Sequence, residues 1–276
     1  MIKACVIGWP IAHSRSPLIH GYWLERYGIA GRYDKCPVAP GELDGFLRGM
    51  RARGLAGCNV TLPHKRAAFL AAARAMPAAR AVAAANTLWF EAGELVADNT
   101  DAAGFLAHLS AAVPGYAPSA APVAVLGAGG AACAIVHALL MSGVFEVRVF
   151  NRTRARADDL ATHFGERVRA YDWGERVRRA AGVGLLINAT SLGMLGCPAL
   201  EMDVGSLPAE AIVADIVYVP LITPLMAAAA ARGLRTVDGL GMLMHQAAPG
   251  FEKWFGVRPE VTHELRALLV RDLEAA

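Results

Sequence analysis

The chain has 276 residues, 55% of them hydrophobic and 18% charged, with a net charge of +3 and a mean hydropathy of +0.36. That balance excludes intrinsic disorder, offers no concentrated basic face for nucleic acid, and fits one or two domains of about 100–200 residues. The long uncharged stretch through 109–145 is broken by Pro114, Pro118, Pro122 and the Gly127/Gly129/Gly130 cluster, so it cannot form one spanning helix of about 20 residues.

Met1-Ile-Lys-Ala-Cys-Val-Ile-Gly8 reads as a first strand rather than a secretory signal. Strands are expected over 3–8, 33–38 and 57–61, with helices over 17–27, 42–53 and 63–74 between and after them. That alternation argues for parallel βαβ units. A hairpin is expected from 86–90 and 94–97 around Glu91-Ala92-Gly93, then a helix over 102–113. After a Pro/Gly/Ala-rich passage at 113–122, a second α/β series opens with a strand at 123–126 and a helix at 131–141. Further strands fall at 146–150, 185–188, 212–215 and 235–238, and helices over 242–255 and 261–273 close the chain.

Val123-Ala-Val-Leu-Gly127-Ala128-Gly129-Gly130-Ala131-Ala132 leads from strand to helix and fits the dinucleotide fingerprint G-x-G-x-x-G/A. Small residues there allow the tight turn, the approach of backbone N–H groups to a pyrophosphate, and close helix–strand packing. A NAD enzyme usually carries Asp or Glu at the end of the next strand, for the ribose 2′-hydroxyl. Here that strand ends in Phe150-Asn151-Arg152-Thr153-Arg154-Ala155-Arg156, with no carboxylate and three arginines. Guanidinium groups suit phosphate oxygens, so the pattern points to NADP.

The first half carries polar groups directly after its expected strands. His13-Ser14-Arg15-Ser16-Pro17 follows the first, and Asn59-Val-Thr61-Leu-Pro-His-Lys65 follows the third. Ser16 could be a helix cap and nothing more. Lys65 falls in the first turn of a helix, where the macrodipole disfavours a cation; it is either a solvated charge or a proton donor and acceptor. Asn86-Thr87 and Asn99-Thr100-Asp101 lie at strand ends, and Asp101 could simply cap the following helix. Gly239-Leu-Gly-Met242-Leu-Met-His-Gln246 returns near the C-terminus. In parallel α/β sheets, ligands bind at the carboxyl ends of the strands, where these residues gather.

Taken in order from residue 8 to about 256, these motifs resemble the shikimate dehydrogenase family, with Asn188-Ala-Thr190-Ser191 as a further match. The resemblance implies two α/β domains with a cleft between them. A substrate domain with a mainly parallel sheet would span 1–101 and 239–276, and a Rossmann-type NADP domain 102–238. It implies reversible NADPH-dependent reduction of 3-dehydroshikimate to shikimate, on the route to chorismate and aromatic amino acids. Lys65 and Asp101 would be the catalytic pair. Ser14 and Ser16 would hold the substrate carboxylate with help from Tyr218, while Asn59, Thr61, Asn86 and Gln246 would meet the ring hydroxyls. Gly127, Ala128, Gly129, Gly130 and Ala131 would cradle the cofactor, and Asn151, Arg152, Thr153 and Arg156 its adenosine phosphate. Thr190 would sit near it, and Gly239 and Met242 would position the nicotinamide.

Two departures from the family pattern are Gly21 after His20, where Asn is frequent, and Ala83, where Gly is common. A dual quinate/shikimate dehydrogenase is the neighbouring alternative, and a non-catalytic dinucleotide sensor a more distant one, which would not need Lys65 with Asp101. The five cysteines are scattered, without any Cys-x-x-Cys, so neither a disulfide framework nor a metal site is expected. The expectation is a cytoplasmic monomer or homodimer that binds small molecules, not membranes or nucleic acid.

Overall fold

Alternating apolar runs and helices build two six-stranded sheets in the computed structural model, which describes residues 1–118 and 120–275. The chain divides into two units, Met1–Asp101 with Met244–Ala275, and Ala102–Leu243.

The first unit begins with β1 (Ile2–Gly8), α1 (Ser16–Arg26), β2 (Gly31–Pro37), α2 (Leu43–Gly49), β3 (Leu55–Val60) and α3 (Lys65–Ala71). It continues with β4 (Arg74–Ala75), α4 (Pro77–Val82), β5 (Thr87–Glu91) and β6 (Glu94–Asp98). The sheet order is β2-β1-β3-β5-β6-β4. β5 pairs antiparallel with β3 and β6, while β1 with β2, β1 with β3, and β4 with β6 are parallel. β5 therefore runs against all its neighbours, and its N-terminal end falls at the edge where β1, β3 and β6 end.

One sheet face packs Cys5, Ile7, Cys58 and Val60 against Leu43, Phe46, Leu47 and Met50. An aromatic cluster of Trp23, Tyr33, Phe251 and Trp254 also belongs to this unit. Gly57 admits Trp254: an added Cβ would lie 2.1 Å from both the Leu88 carbonyl and the indole Nε1, which donates to that carbonyl at 2.9 Å.

The expected helix over 42–53 is shorter, a 3₁₀ turn at Pro40–Glu42 followed by α2, which contains Gly45 and stops at Gly49. Glycine weakens a helix interior by about 1 kcal/mol. α3 starts at Lys65 rather than at residue 63, because a turn closed by the His64 N–H on the Thr61 carbonyl (3.0 Å) precedes it. β4 and α4 were not expected. Two residues cannot display strand alternation, and α4 has only six, four of them Pro or Ala.

The second unit holds α5 (Asp101–Ala112) from its second residue on, then β7 (Val123–Leu126), α6 (Gly130–Met141), β8 (Val147–Asn151), α7 (Arg154–Phe164) and β9 (Val168–Asp172). α8 (Arg176–Ala180), β10 (Leu185–Asn188), β11 (Ile212–Asp215), α9 (Pro224–Ala231) and β12 (Arg235–Val237) follow. Its strands, in the order β12-β11-β10-β7-β8-β9, pair in parallel throughout, which is the Rossmann arrangement. Buried helix and strand side chains cover them: Val125, Ile187 and Ala214 lie with Ile135 and Leu139 in one core cluster.

α10 (Gly239–Phe255) starts in this unit and ends in the first. The change comes at Met244 rather than at Gly239, since Met242 is buried in the second core and Gly239 abuts the Ile216 carbonyl. α11 (His263–Glu274) completes the first unit, with Trp23 Nε1 donating to the Glu260 carbonyl at 2.9 Å. No described helix is long and apolar enough to cross a membrane.

Candidate active site

Lys65, Asn86 and Asp101 converge because β3 and β6 end, and β5 begins, at one edge of the first sheet. The Lys65 ammonium lies 2.5 Å from Asp101 Oδ2, and Asn86 Nδ2 donates to Asp101 Oδ1 at 2.8 Å. Lys65 is the first residue of α3, where the helix dipole opposes a cation; Asp101 is the first of α5, where it favours an anion. The pair places each charge beside its counter-ion, with the two side chains 21% and 9% exposed. Asp101 is not spent on capping. Asn99 Oδ1 accepts the Asp101 N–H at 3.1 Å instead, leaving the carboxylate for Lys65 and Asn86.

Asn86 is the hub of this cluster. Its Nδ2 also reaches Gln246 Oε1 at 3.1 Å, and its Oδ1 accepts from the Thr100 N–H at 2.8 Å. Thr100, to which the sequence gives no role beyond its place in Asn99-Thr100-Asp101, ties α10 to the hub by donating to the Gln246 carbonyl at 2.8 Å. Asn59 is buried on β3, bonded to the Asn86 carbonyl (3.1 Å) and to Tyr33 (2.6 Å). Thr61 is held at the end of β3 by its N–H on the Ile7 carbonyl at 2.9 Å, half-buried at the same edge.

The loop after β1 presents Ser14 and Ser16. The Ser14 hydroxyl donates to Ser16 Oγ and accepts the Ser16 N–H, both at 3.3 Å. Ser16 is the first residue of α1 and not its cap; Arg15 takes that position, and no side chain caps the helix. Two contacts brace the loop. Arg15 Nε is 2.5 Å from Asp272 Oδ2 on α11, and Lys35 donates to the Ala12 carbonyl.

In the second unit the strand order reverses between β7 and β10, the place where such sheets bind dinucleotides. Gly127 has φ +110° there, and an added Cβ would sit 2.9 Å from the Ala189 carbonyl. No side chain caps α6, and nothing lies within 4 Å of a Cβ built on Gly129 or Gly130. The open space and bare helix start, flanked by Ala128 and Ala131, fit a pyrophosphate.

At the end of β8, Asn151 Nδ2 donates to the Thr153 carbonyl at 2.8 Å, shaping the turn that carries Arg152. The three arginines are not equivalent. Arg154 is bound to Asp158 (2.9 Å) and Asp172 (3.5 Å), whereas the exposed Arg152 and Arg156 guanidinium groups form no ion pair among the described residues.

Thr190 gives its hydroxyl to Asn188 Oδ1 at 2.7 Å, so it shapes the loop after β10. Asp215, also not singled out from sequence, anchors that loop and the next: it accepts from Asn188 (3.0 Å), Val217 N–H (2.9 Å) and Thr223 (2.7 Å). Burial raises its pKa above the usual carboxylate value, and those three hydrogen bonds oppose the rise. Tyr218, half-buried, follows β11 in this unit, and so lies outside the unit of Ser14 and Ser16. Gly239 is required by packing, with an added Cβ 2.2 Å from the Ile216 carbonyl, and Met242 is buried in the core of the second unit. No cluster of three or more potential metal-binding side chains occurs among the described residues.

Three family profiles match the chain: a shikimate dehydrogenase substrate binding domain at 6–88, shikimate / quinate 5-dehydrogenase at 115–232, and a shikimate 5′-dehydrogenase C-terminal domain at 239–269. A shikimate dehydrogenase (NADP(+)) from Methylocella silvestris is 54% identical over 99% of this chain and 98% of its own length. Among solved structures, shikimate 5-dehydrogenase of Thermus thermophilus in complex with NADP(H) and shikimate is 37% identical, with a TM-score of 0.86 over 100% of this chain and 99% of that one. Quinate dehydrogenase of Corynebacterium glutamicum in complex with NAD is 29% identical, with a TM-score of 0.90 over 98% and 99%.

Proposed function

The chain belongs to the shikimate dehydrogenase family, and we propose that it catalyses the reversible NADP-dependent reduction of 3-dehydroshikimate to shikimate, on the route to aromatic amino acids. The observation that carries this reading is the Lys65–Asp101–Asn86 cluster, an ammonium fixed at 2.5 Å from a carboxylate that a third side chain orients.

Reduction of a ketone leaves an alkoxide that needs a proton. Lys65 gives that proton from Nζ to the substrate oxygen, and in the reverse direction takes it from the alcohol. Asp101 holds the ammonium in place and compensates the charge as the proton moves. Asn86, Gln246, Asn59 and Thr61 orient the ring through its hydroxyls, and Ser14 and Ser16, assisted by Tyr218, donate to the carboxylate. NADPH, when bound, supplies the hydride. The bare start of α6 with Gly127–Ala131 would hold its pyrophosphate, Asn151, Arg152, Thr153 and Arg156 its 2′-phosphate, and Thr190, Gly239 and Met242 would flank the nicotinamide side.

The first unit is thus the substrate domain and the second the NADP domain, in a cytoplasmic enzyme acting as a monomer or homodimer. The test is a spectrophotometric assay of the purified chain with shikimate or quinate, and NADP or NAD. Turnover of shikimate with NADP is expected to exceed every other pairing. A quinate rate within about tenfold, a difference of ~1.4 kcal/mol in barrier, would make the enzyme dual-substrate instead. Absence of turnover with all pairings would leave a dinucleotide-binding protein.

A further inference from the structure

Asn59 has every amide proton committed inside the protein. Nδ2 donates to the Asn86 carbonyl at 3.1 Å and to Thr87 Oγ1 at 3.3 Å. A peptide carbonyl can only accept, so the amide nitrogen must face Asn86 and the oxygen must face the other way. There it meets Tyr33, whose phenol donates to Oδ1 at 2.6 Å.

The reach of Tyr33 is unusual, because β2 and β3 are not neighbours; β1 lies between them. In the sheet register Tyr33 lies opposite Ala4, and Ala4 opposite Gly57. The row across the sheet is therefore almost bare of side chains, and the phenol passes over it to Asn59. The ring is fixed by His20, stacked on it at 3.9 Å between centroids and 12° between planes.

His20 is fully buried, and neither ring nitrogen has a hydrogen-bond partner among the described residues. Its contribution is the flat face of a neutral ring; burial lowers its pKa to about 3, against the opposing effect of nearby Asn59. The phenol stays a neutral donor as well, since burial raises its pKa well above the ordinary tyrosine value. His20 also stands one helical turn after Ser16 on α1, so one helix face carries both Ser16 and the plate beneath Tyr33.

We propose that Tyr33 is a positioning residue for the ring hydroxyls of the substrate, acting through Asn59, with His20 holding its ring. The inference rests on the shikimate reading above. With both amide protons and one side of Oδ1 used internally, Asn59 offers the substrate one acceptor site, and Tyr33 sets its direction. A hydroxyl donor is thereby accepted, and a ring bearing a keto or methoxy group at that position is disfavoured.

Tyr33→Phe tests this, since it removes one oxygen and keeps the stacked ring. The expected result is a KM for shikimate raised about tenfold, because Asn59 Oδ1 is no longer aimed at the ring hydroxyl it accepts. kcat should stay within about twofold and KM for NADP should not move, because transition-state groups are untouched. His20→Ala should raise the shikimate KM in the same direction, and shikimate should raise the melting temperature less in both variants than in the wild type. A folded Tyr33→Phe protein with wild-type KM overturns the inference, as does an equal loss in both KM values. If the wild-type chain itself shows no shikimate turnover, the functional reading falls and this inference falls with it; wild-type turnover with an unmoved KM in Tyr33→Phe sinks the inference alone.

Discussion

The main-chain N–H of Ala85 donates to the Lys65 carbonyl at 2.8 Å, fastening the first turn of α3 to the segment that presents Asn86. No side-chain substitution at Lys65 breaks that bond. Lys65→Met should therefore fold normally and still lose its chemistry. General acid–base catalysis contributes roughly 10²–10⁴-fold, so kcat should fall at least by the lower figure with KM for shikimate little changed. Steady-state kinetics beside a melting curve check this; near-normal kcat would remove Lys65 from the mechanism.

Asp101→Asn keeps the shape of the side chain but places an NH₂ group against one of two donors, Lys65 Nζ or Asn86 Nδ2. Both kcat and the shikimate affinity should drop. Combined with Lys65→Met, the loss should be less than the product of the two single losses, because the groups act as a unit. A double-mutant cycle on kcat/KM measures this, and strict multiplicativity would mean that the two residues act independently.

Arg152 and Arg154 should separate cleanly in cofactor choice. Arg152→Ala is expected to weaken NADP about tenfold or more, as for a lost charge-assisted phosphate contact, with NAD within about twofold. Arg154→Ala should change NADP binding far less, since that guanidinium already serves Asp158 and Asp172. Titration of each variant with the two dinucleotides distinguishes them. Equal losses in both would mean that Arg154 leaves its acids when NADP arrives.

Ala83 ends α4 in the left-handed region, at φ +50°, one of the two positions where the family pattern and this chain part. Glycine has no Cβ to strain there, so Ala83→Gly should stabilise the protein by about 0.5–1 kcal/mol, read from the urea midpoint. At Gly21, the other departure, an added Cβ meets nothing within 4 Å, so the helix accommodates a side chain.

His20 should shape the acid limb of stability. Its pKa falls from 6.5 in the unfolded chain to about 3 in the fold, so between those values the unfolded state binds the extra proton. The stabilising contribution of the neutral ring is complete above pH ~6.5 and is lost as pH falls toward 3, with a limiting slope of about 1.4 kcal/mol per pH unit. Asp98 and Asp215, whose pKa values burial raises, act in the opposite sense in the same acid range. The comparison is therefore between proteins: His20→Phe should show a flatter fall of melting temperature with acid than the wild type, and parallel curves would refute it.

The strands at 123–126, 185–188 and 212–215 coincide with β7, β10 and β11, because each opens with three apolar residues buried in the middle of a parallel sheet. Lys65, Asn86 and Asp101 were legible as strand-end residues, since topology alone brings strand ends together. The roles of Tyr33, Thr100 and Asp215 were not. Each acts across the fold, Tyr33 over an intervening strand and Thr100 on a carbonyl of α10, and no local spacing encodes such a reach. α9 had a signal, Thr223-Pro224 at its start, with Thr223 Oγ1 accepting the Met226 N–H, but its run of alanines shows no periodicity. The helix–strand pair α7 and β9 follows the basic segment after β8, and its many charged residues leave too few apolar positions to mark a helix and then a strand.

The interruption of the first unit by residues 102–243 has a consequence for the chain during its own synthesis. The inserted unit is complete when Leu243 leaves the ribosome; the first sheet, translated earlier, still lacks the segment from Met244 onward. At about 5–20 residues per second that wait is on the order of ten seconds. Throughout it the slot at Gly57 has no Trp254, and the Trp23 indole has no Glu260 carbonyl to bond. Lys65 and Asp101 have both been made, but Thr100 has no Gln246 carbonyl to hold. Premature stop codons just before residue 244 should therefore yield a folded inserted unit tethered to an incomplete, aggregation-prone first sheet.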